Sequence, residues 1–179
     1  MSKVVILVGS MRKGGNTEAL AKSFADGAKI HNEVVIISVA DYNVNPCRGC
    51  NACYSNKDNT CIQNDDMQKI YSELKDADVL VVASPVYFYG ISSSLKAIID
   101  RLHTPMRNTF KIRRLGLLLV GATKVPNLFE SIEAQYDSVL RFFELQDVGR
   151  ILVNGVKDIG DITGNAALEE ARRLGESII

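Results

Sequence analysis

The sequence contains no tryptophan, and its 21 basic side chains balance 21 acidic ones, so the formal net charge is zero. A balanced charge gives no attraction to a polyanion, and we expect no nucleic-acid partner. No apolar run approaches the ~20 residues of a membrane-spanning helix, so we expect no membrane partner either. Met1–Lys3 leads straight into an apolar segment, which leaves no room for a signal peptide. The lack of tryptophan and of clustered carboxylates argues against a glycosidase-type site.

Repeats, linkers and low-complexity tracts are also absent. We therefore expect residues 1–179 to form one cytoplasmic domain with a cysteine-rich loop at residues 46–62. Apolar segments alternate with amphipathic ones. The predicted strands are Val4–Val8, Glu33–Val39, Val79–Ala83, Leu115–Gly121 and Arg150–Asn154. The predicted helices are Thr17–Ile30, Asp66–Lys75, Ser93–His103, Leu128–Phe143 and Ala166–Ile178. This alternation predicts an α/β fold, a flavodoxin-like doubly wound five-stranded parallel sheet in the order 2-1-3-4-5 with helices on both faces.

The loop Gly9–Thr17 follows the first predicted strand and opens the first predicted helix. In such a fold, ligands bind at the carboxyl ends of the strands, so this loop is a candidate binding site. A helix N-terminus attracts anions, and the loop adds polar side chains that donate hydrogen bonds to phosphate. These side chains are Ser10, Arg12, Asn16 and Thr17.

Missing residues narrow the choice of phosphate ligand. Gly15 and Asn16 stand where a nucleotide-triphosphate loop has its lysine and hydroxyl residue. The dinucleotide fingerprint G-x-G-x-x-G is absent, and no acidic residue of a phosphoacceptor domain follows the strand. A single phosphate, as in FMN, fits the loop best. The alternative is an ordinary turn rich in glycine and serine.

A second loop, Ser84–Ser92, follows the third predicted strand and contains the consecutive aromatic residues Tyr87–Tyr89. Three exposed aromatic rings are costly unless they cover something. Pro85 stiffens the loop, and Gly90 permits a close approach of the backbone to a ligand. This composition indicates either a pocket for a flat tricyclic ring or a subunit interface, and both can hold together.

Three motifs carry a resemblance to a known family: Gly9–Thr17, Ser84–Tyr87 and Leu95–Arg101. Residues 3–104 resemble the group of NADPH-dependent FMN reductases and iron–sulfur flavoproteins. The resemblance implies FMN as cofactor, NAD(P)H as co-substrate and assembly into a homodimer or homotetramer. It implies that Ser10, Arg12, Asn16 and Thr17 hold the FMN phosphate. It further implies that the isoalloxazine is lined by Pro85, Val86, Tyr87, Phe88 and Gly90.

All four cysteines fall in one segment with the spacing Cys47-x2-Cys50-x2-Cys53-x7-Cys61. Compact spacing of this kind resembles [4Fe–4S] ligation and the cysteine motif of the iron–sulfur flavoproteins. Three alternatives stay open. The cysteines are free thiols of a plain flavin reductase, Cys50 and Cys53 form a redox disulfide, or the site binds zinc.

Two functions follow as hypotheses. The first is an FMN-dependent oxidoreductase that transfers electrons from NAD(P)H to a quinone, a flavin or a similar acceptor, with no catalytic side chain assigned. The second is an iron–sulfur flavoprotein electron carrier that accepts electrons from a ferredoxin-like partner. In this second case the cysteine loop leaves the second predicted strand near the sheet edge that holds the flavin, so we expect electron transfer between the cofactors to be geometrically feasible within a chain or across a dimer. A flavin-free binding domain on the same fold is the outside alternative.

Overall fold

The computed structural model describes residues 1–179 and contains six β-strands and six α-helices. The strands are β1 (Lys3–Val8), β2 (Glu33–Ser38), β3 (Val79–Tyr87), β4 (Gly90–Ile91), β5 (Arg114–Val120) and β6 (Gln146–Val153). The helices are α1 (Asn16–Ala28), α2 (Ala52–Ser55), α3 (Met67–Lys75), α4 (Ser93–Arg101), α5 (Glu130–Phe143) and α6 (Ala166–Glu176). None of these helices combines the length and the apolar character that a membrane crossing requires.

The sheet runs in the order β2-β1-β3-β5-β6, with all neighbouring pairs in this path parallel. This α/β architecture is consistent with a flavodoxin-like fold. The prediction of five strands in the order 2-1-3-4-5 was incomplete, because the two-residue strand β4 pairs antiparallel with the end of β3. The prediction that a loop begins at Ser84 was wrong, since β3 continues to Tyr87. Pro85 still pairs with Val120 of β5, and Tyr87 pairs with Gly90.

Helices cover both faces of the sheet, as the alternation of apolar segments predicts. Helices α1 and α6 share a core with one set of alternate strand residues, and α3, α4 and α5 share a core with the other set. Strands β1 and β3 contribute to both cores, because Val4 and Val5 lie on opposite faces and both are fully buried. Burial on two faces explains their near-continuous Val, Ile and Leu composition.

Helices α1 and α6 approach each other closely through a pair of glycines. A Cβ atom on Gly27 would overlap the carbonyl group of Arg172, and one on Gly175 would overlap the carbonyl oxygen of Phe24. The obstacle in both cases is backbone, which cannot rotate away as a side chain can. Contact of this kind therefore fixes the distance between α1 and α6 near the end of α1.

We expect Gly27→Ala to lower the free energy of unfolding by about 1–3 kcal/mol, because the two helices must separate to admit a methyl group. The measurement is urea denaturation followed by circular dichroism. Gly90→Ala is the matched control, since a Cβ there would meet only the Tyr87 carbonyl oxygen at 3.7 Å. Equal stability of the Gly27→Ala and Gly90→Ala proteins would contradict the close helix contact.

Candidate functional site

Strand β1 ends beside the middle of β3, and hydrogen bonds of Gly9 join the loop after β1 to β3 and to the start of α4. The Gly9 N–H donates to the Ala83 carbonyl (2.7 Å), and the Gly9 carbonyl accepts from the Ser92 hydroxyl (2.6 Å). The same hydroxyl accepts from the N–H of Leu95 (3.3 Å) and so caps α4. The loop after β1 is therefore bonded directly to the start of α4.

A cleft of about 240 Å³ opens at this carboxyl edge of the sheet. It brings together residues from both loops predicted to bind a ligand. The predicted residues that line it are Ser10, Arg12, Asn16, Thr17, Pro85, Val86 and Tyr87. Gly15, Val120, Ala122, Val156, Lys157 and Ile159 complete the lining. We call this space the carboxyl-edge cleft.

The first turn of α1 presents unpaired hydrogen-bond donors to the carboxyl-edge cleft. The backbone N–H groups of Asn16, Thr17 and Glu18 have no protein acceptor, and no side chain caps the helix at Gly15. The Thr17 side chain lines the cleft and its hydroxyl makes no hydrogen bond within the chain, although the residue is buried. Donors of this number at a helix N-terminus suit a phosphate dianion.

The other polar side chains of the loop make bonds that hold the cleft together. The Ser10 hydroxyl accepts from the N–H of Arg12 (3.1 Å), which closes a turn within the loop. The Asn16 amide donates to the Asp158 carbonyl (2.9 Å) and accepts from the N–H of Ile162 (3.3 Å). Arg12 donates to the Lys157 carbonyl (3.3 Å) and is otherwise exposed. Asn16 and Arg12 thus connect the loop after β1 to the loop after β6.

Glu18 places a negative charge beside this set of donors. Its carboxylate accepts from the N–H of Gly14 (2.6 Å) and pairs with Lys22 (2.6 Å). These contacts, the Lys22 hydrogen bond first, hold the pKa of Glu18 below its usual value. Because Lys22 and Lys13 both lie near this carboxylate, its charge is offset locally.

The aromatic residues after β3 form a hairpin tip of which only Tyr87 reaches the cleft. Phe88 (φ 49°) and Tyr89 (φ 63°) both adopt the left-handed conformation, and the Phe88 side chain is fully exposed. This conformation costs roughly 1–2 kcal/mol per non-glycine residue. The Tyr89 carbonyl accepts from the Ser131 hydroxyl, which ties the tip to α5. Neither Phe88 nor Gly90 lines the carboxyl-edge cleft.

The sequence analysis did not predict three residues of the cleft lining: Val156, Lys157 and Ile159. They lie in the segment between β6 and α6, whose three glycines all have left-handed φ values: Gly155, Gly160 and Gly164. The sequence did contain an indication that this loop lies at the site, because the loop follows a predicted strand of the same parallel sheet and is rich in glycine. Its apolar residues gave no indication of contact with a ligand.

The cysteine-rich segment is a long loop closed at its base by two adjacent carboxylates. Asp66 accepts from the N–H of Asn43 (2.8 Å), and Asp65 accepts from the N–H of Asn45 (2.9 Å). Asp65 also accepts from the N–H of Met67 (3.2 Å) at the start of α3. These hydrogen bonds hold together the two ends of the loop, where it leaves and rejoins the rest of the fold.

All four cysteines line one cavity of about 90 Å³, which we call the cysteine cavity. Each cysteine is a free thiol, and the Cys47 sulfur accepts from the N–H of Gly49 (3.5 Å). Hydrogen bonds to sulfur are typical of thiolate ligands. No three Cys, His, Asp or Glu side chains are grouped closely enough to hold a metal ion in this conformation. The loop therefore brings the predicted ligands to one cavity without assembling them into a ligand set.

Arg101, the last residue of α4, reaches the cysteine cavity from the protein interior. Its side chain is only 1% exposed, and its Nη1 pairs with Asp65 and donates to the Asn45 carbonyl (3.3 Å). The remaining donors, Nε and Nη2, are buried and have no partner. Arg101 thus connects the base of the loop to the cavity, and sequence reasoning did not place it there.

Three pKa values around Arg101 are displaced by burial and by charge. Burial acts to lower the pKa of Arg101, but the Asp65 hydrogen bond and the charges of Cys61 and Asp65 raise it above its usual value. Burial acts to raise the pKa of Asp65, but the Arg101 and backbone hydrogen bonds lower it overall. Burial raises the pKa of Tyr71, which also lines the cavity, to about 12. Arg101 and Asp65 are therefore both charged at neutral pH.

The cysteine cavity and the carboxyl-edge cleft lie at opposite ends of α4. Ser92 caps the start of the helix beside Gly9. At the other end, the last residue of the helix, Arg101, lines the cysteine cavity together with His103 and Thr104. A helix of nine residues is about 13 Å long. The sequence predicts that the loop leaves the second strand at the sheet edge of the carboxyl-edge cleft, and the structure agrees on that point. The loop leaves β2 at that edge but packs against the far end of α4.

Comparisons with known proteins identify the family of this chain. The family model for NADPH-dependent FMN reductases matches residues 2–154. An iron-sulfur flavoprotein of Methanocaldococcus jannaschii is 32% identical over 98% of this chain and 95% of its own length. An iron-sulfur flavoprotein of Methanosarcina thermophila is 30% identical over 94% of this chain and 85% of its own length.

Among solved structures, an NAD(P)H:quinone oxidoreductase from Methanothermobacter marburgensis superposes with a TM-score of 0.74 at 15% identity, covering 99% of both chains. At this identity the superposition shows a shared fold. The match over residues 2–154 and the two full-length relatives show more than a fold. The chain belongs to the NADPH-dependent FMN reductase family, and its similarity to iron-sulfur flavoproteins extends over nearly its whole length.

Proposed function

We propose that this protein binds FMN in the carboxyl-edge cleft and transfers electrons from NAD(P)H to a quinone, a flavin or a similar small acceptor. One observation carries the proposal. The first turn of α1, with its unpaired N–H groups, and the Pro85–Tyr87 segment line the same cleft. The donor set fits a phosphate monoester, and the end of β3 contributes the apolar Pro85 and Val86 to the same cleft. When bound, FMN supplies hydride and electron transfer.

The residues of the cleft divide the binding task between them. Thr17 and the first-turn N–H groups hold the phosphate, with Arg12 adding positive charge at the mouth. Asn16 keeps the loop after β6 closed against this site through its bonds to Asp158 and Ile162. Pro85 and Val86 exclude water from one face of the ring. Because the cofactor itself carries the hydride and the electrons, we assign no acid–base side chain to the transfer.

We expect Thr17→Val to raise the Kd for FMN about 10- to 150-fold, because a hydrogen bond to a charged group contributes about 1.5–3 kcal/mol. The measurement is quenching of FMN fluorescence on titration with apoprotein. Thr109→Val is the matched control, since the Thr109 hydroxyl bonds only to the Met106 carbonyl and lies outside the cleft. An unchanged Kd in the Thr17→Val protein would remove Thr17 from the phosphate site.

Steady-state oxidation of NAD(P)H by the FMN-loaded protein tests the activity itself. We expect turnover with a quinone, free flavin or nitro compound that exceeds the rate of the same concentration of free FMN. Turnover no faster than free FMN, with FMN tightly bound, would reject the reductase function while leaving the binding site intact.

A second function is favoured by the cysteine cavity. We propose that Cys47, Cys50, Cys53 and Cys61 bind a [4Fe–4S] cluster and that the protein carries single electrons between a ferredoxin-like partner and FMN. Four free thiols on one cavity, with the unpaired donors of a buried arginine beside them, suit an anionic sulfur-ligated cluster. Ligation requires the loop to draw the four sulfurs together. Gly49, between Cys47 and Cys50, and Asn51, between Cys50 and Cys53, both have the left-handed backbone conformation.

We expect protein purified without oxygen to hold about four irons per chain and to lose them in the Cys50→Ser variant, while FMN still binds. Iron analysis and the broad absorbance near 400 nm provide the readout. Ser55→Ala, in the same loop, is the control and should keep its iron. Retention of the cluster in Cys50→Ser would refute the ligand assignment, and the same assay on Cys61→Ser tests the long gap before the last cysteine.

A further inference from the structure

We propose that Arg101 is a positioning residue for the iron–sulfur site. The Nε–H and Nη2–H groups of this side chain donate to sulfur and hold the negative charge of the ligated site. The consequence is a raised reduction potential. This inference rests on the proposed binding of a cluster by Cys47, Cys50, Cys53 and Cys61.

The burial of the Arg101 side chain is costly unless its unpaired N–H groups have an acceptor. Nε and Nη2 form one edge of the guanidinium, and both are buried without a partner. A buried donor without an acceptor costs about 1–3 kcal/mol, and more when the group is charged. The ion pair with Asp65 uses Nη1 and leaves that edge free. A thiolate or sulfide in the cysteine cavity, which Arg101 lines, supplies the missing acceptor.

The position of the cavity in the fold adds to the need for positive charge. It lies at the C-terminal end of α4, where the helix dipole is negative. Several thiolates gathered there repel one another and are opposed by the dipole. Asp100 also lines the cavity, although its carboxylate pairs with Lys96. Without Arg101, the buried side of the cavity would have no cation.

The other basic side chains at the cavity, Arg48 and His103, are exposed to solvent. Arg48 lies on the loop itself, and its exposed charge is screened by water and salt. His103 bonds to Tyr54 through Nε2 (3.2 Å) and faces Arg107 through Nδ1 (3.4 Å). The buried guanidinium acts in a medium of lower dielectric constant, so its effect on the site is larger. Cluster potentials depend on net charge and on hydrogen bonds to sulfur, and Arg101 supplies both.

The test compares two variants that differ only in the guanidinium. Replacing Arg101 alone leaves the Asp65 carboxylate buried and unpaired, which is strongly destabilising. We therefore compare Asp65→Asn with the double variant Asp65→Asn/Arg101→Gln, both with the cluster bound. The midpoint potential of the cluster is measured by anaerobic redox titration followed by electron paramagnetic resonance.

We expect the double variant to favour the oxidised cluster at least tenfold more than Asp65→Asn does, a decrease of 59 mV or more for one electron. Arg48→Gln is the matched control and should shift the potential of the native protein less. If the double variant does not fold, Arg101→Lys gives the same readout. Lysine keeps the charge but lacks the two-donor edge, so we expect a lower potential than in the native protein.

Equal potentials in Asp65→Asn and the double variant, with the cluster retained in both, would show that Arg101 is only structural and would overturn the inference. An unchanged potential in Arg101→Lys would overturn the role of the hydrogen bonds. Absence of iron from the native protein after anaerobic reconstitution would refute cluster binding and this inference together. Iron content thus separates the failure of the inference from the failure of the proposed electron-carrier function.

Discussion

The carboxyl-edge cleft depends on the two hydrogen bonds of Gly9. Its N–H and carbonyl groups join β1 to β3 and to the cap of α4, so the loops after both strands have one fixed relation. A side chain is excluded here, because a Cβ atom would lie 2.7 Å from Leu95 Cδ2 and 3.1 Å from Ser92 Oγ. The same closeness that forbids a side chain at Gly9 lets α4 begin beside the loop that leads into α1. The cleft is therefore a consequence of how β1 and β3 pack against α4.

The sequence predicted those parts of the fold whose signal is local. The five long strands and five long helices follow from apolar periodicity, and each begins and ends within a few residues of the predicted bounds. Strand β4 was missed because it is two residues long and exists only through pairing with Val86 and Tyr87. The extension of β3 was missed because Pro85 is a poor strand former by itself. It is accommodated here because Pro85 lies opposite Val120 at the end of β5.

The site was predictable only where one loop contains both the donors and the turn that presents them. Thr17 and Ser10 met that condition, and the structure brings both to the cleft. Asn16 met it too, but its side chain is bonded to Asp158 and Ile162, far along the chain. Arg101 is an example of a site residue that could not be predicted from the sequence. Its role depends on contacts with Asp65 and the cysteine loop, more than 30 residues away, and no local pattern reports them.

The separation of the two sites has an electrostatic reason. The cleft lies at the N-terminus of α1, where unpaired N–H groups already favour an anion. The cysteine cavity lies at the C-terminus of α4, where the helix dipole disfavours one. A phosphate needs no buried cation in the first position, and Arg12 is accordingly exposed. The proposed sulfur ligands in the second position would need one, and Arg101 lines that cavity with its Nε and Nη2 groups buried and unpaired. If the proposed FMN and cluster are bound, the two sites at opposite ends of α4 compensate negative charge by different means.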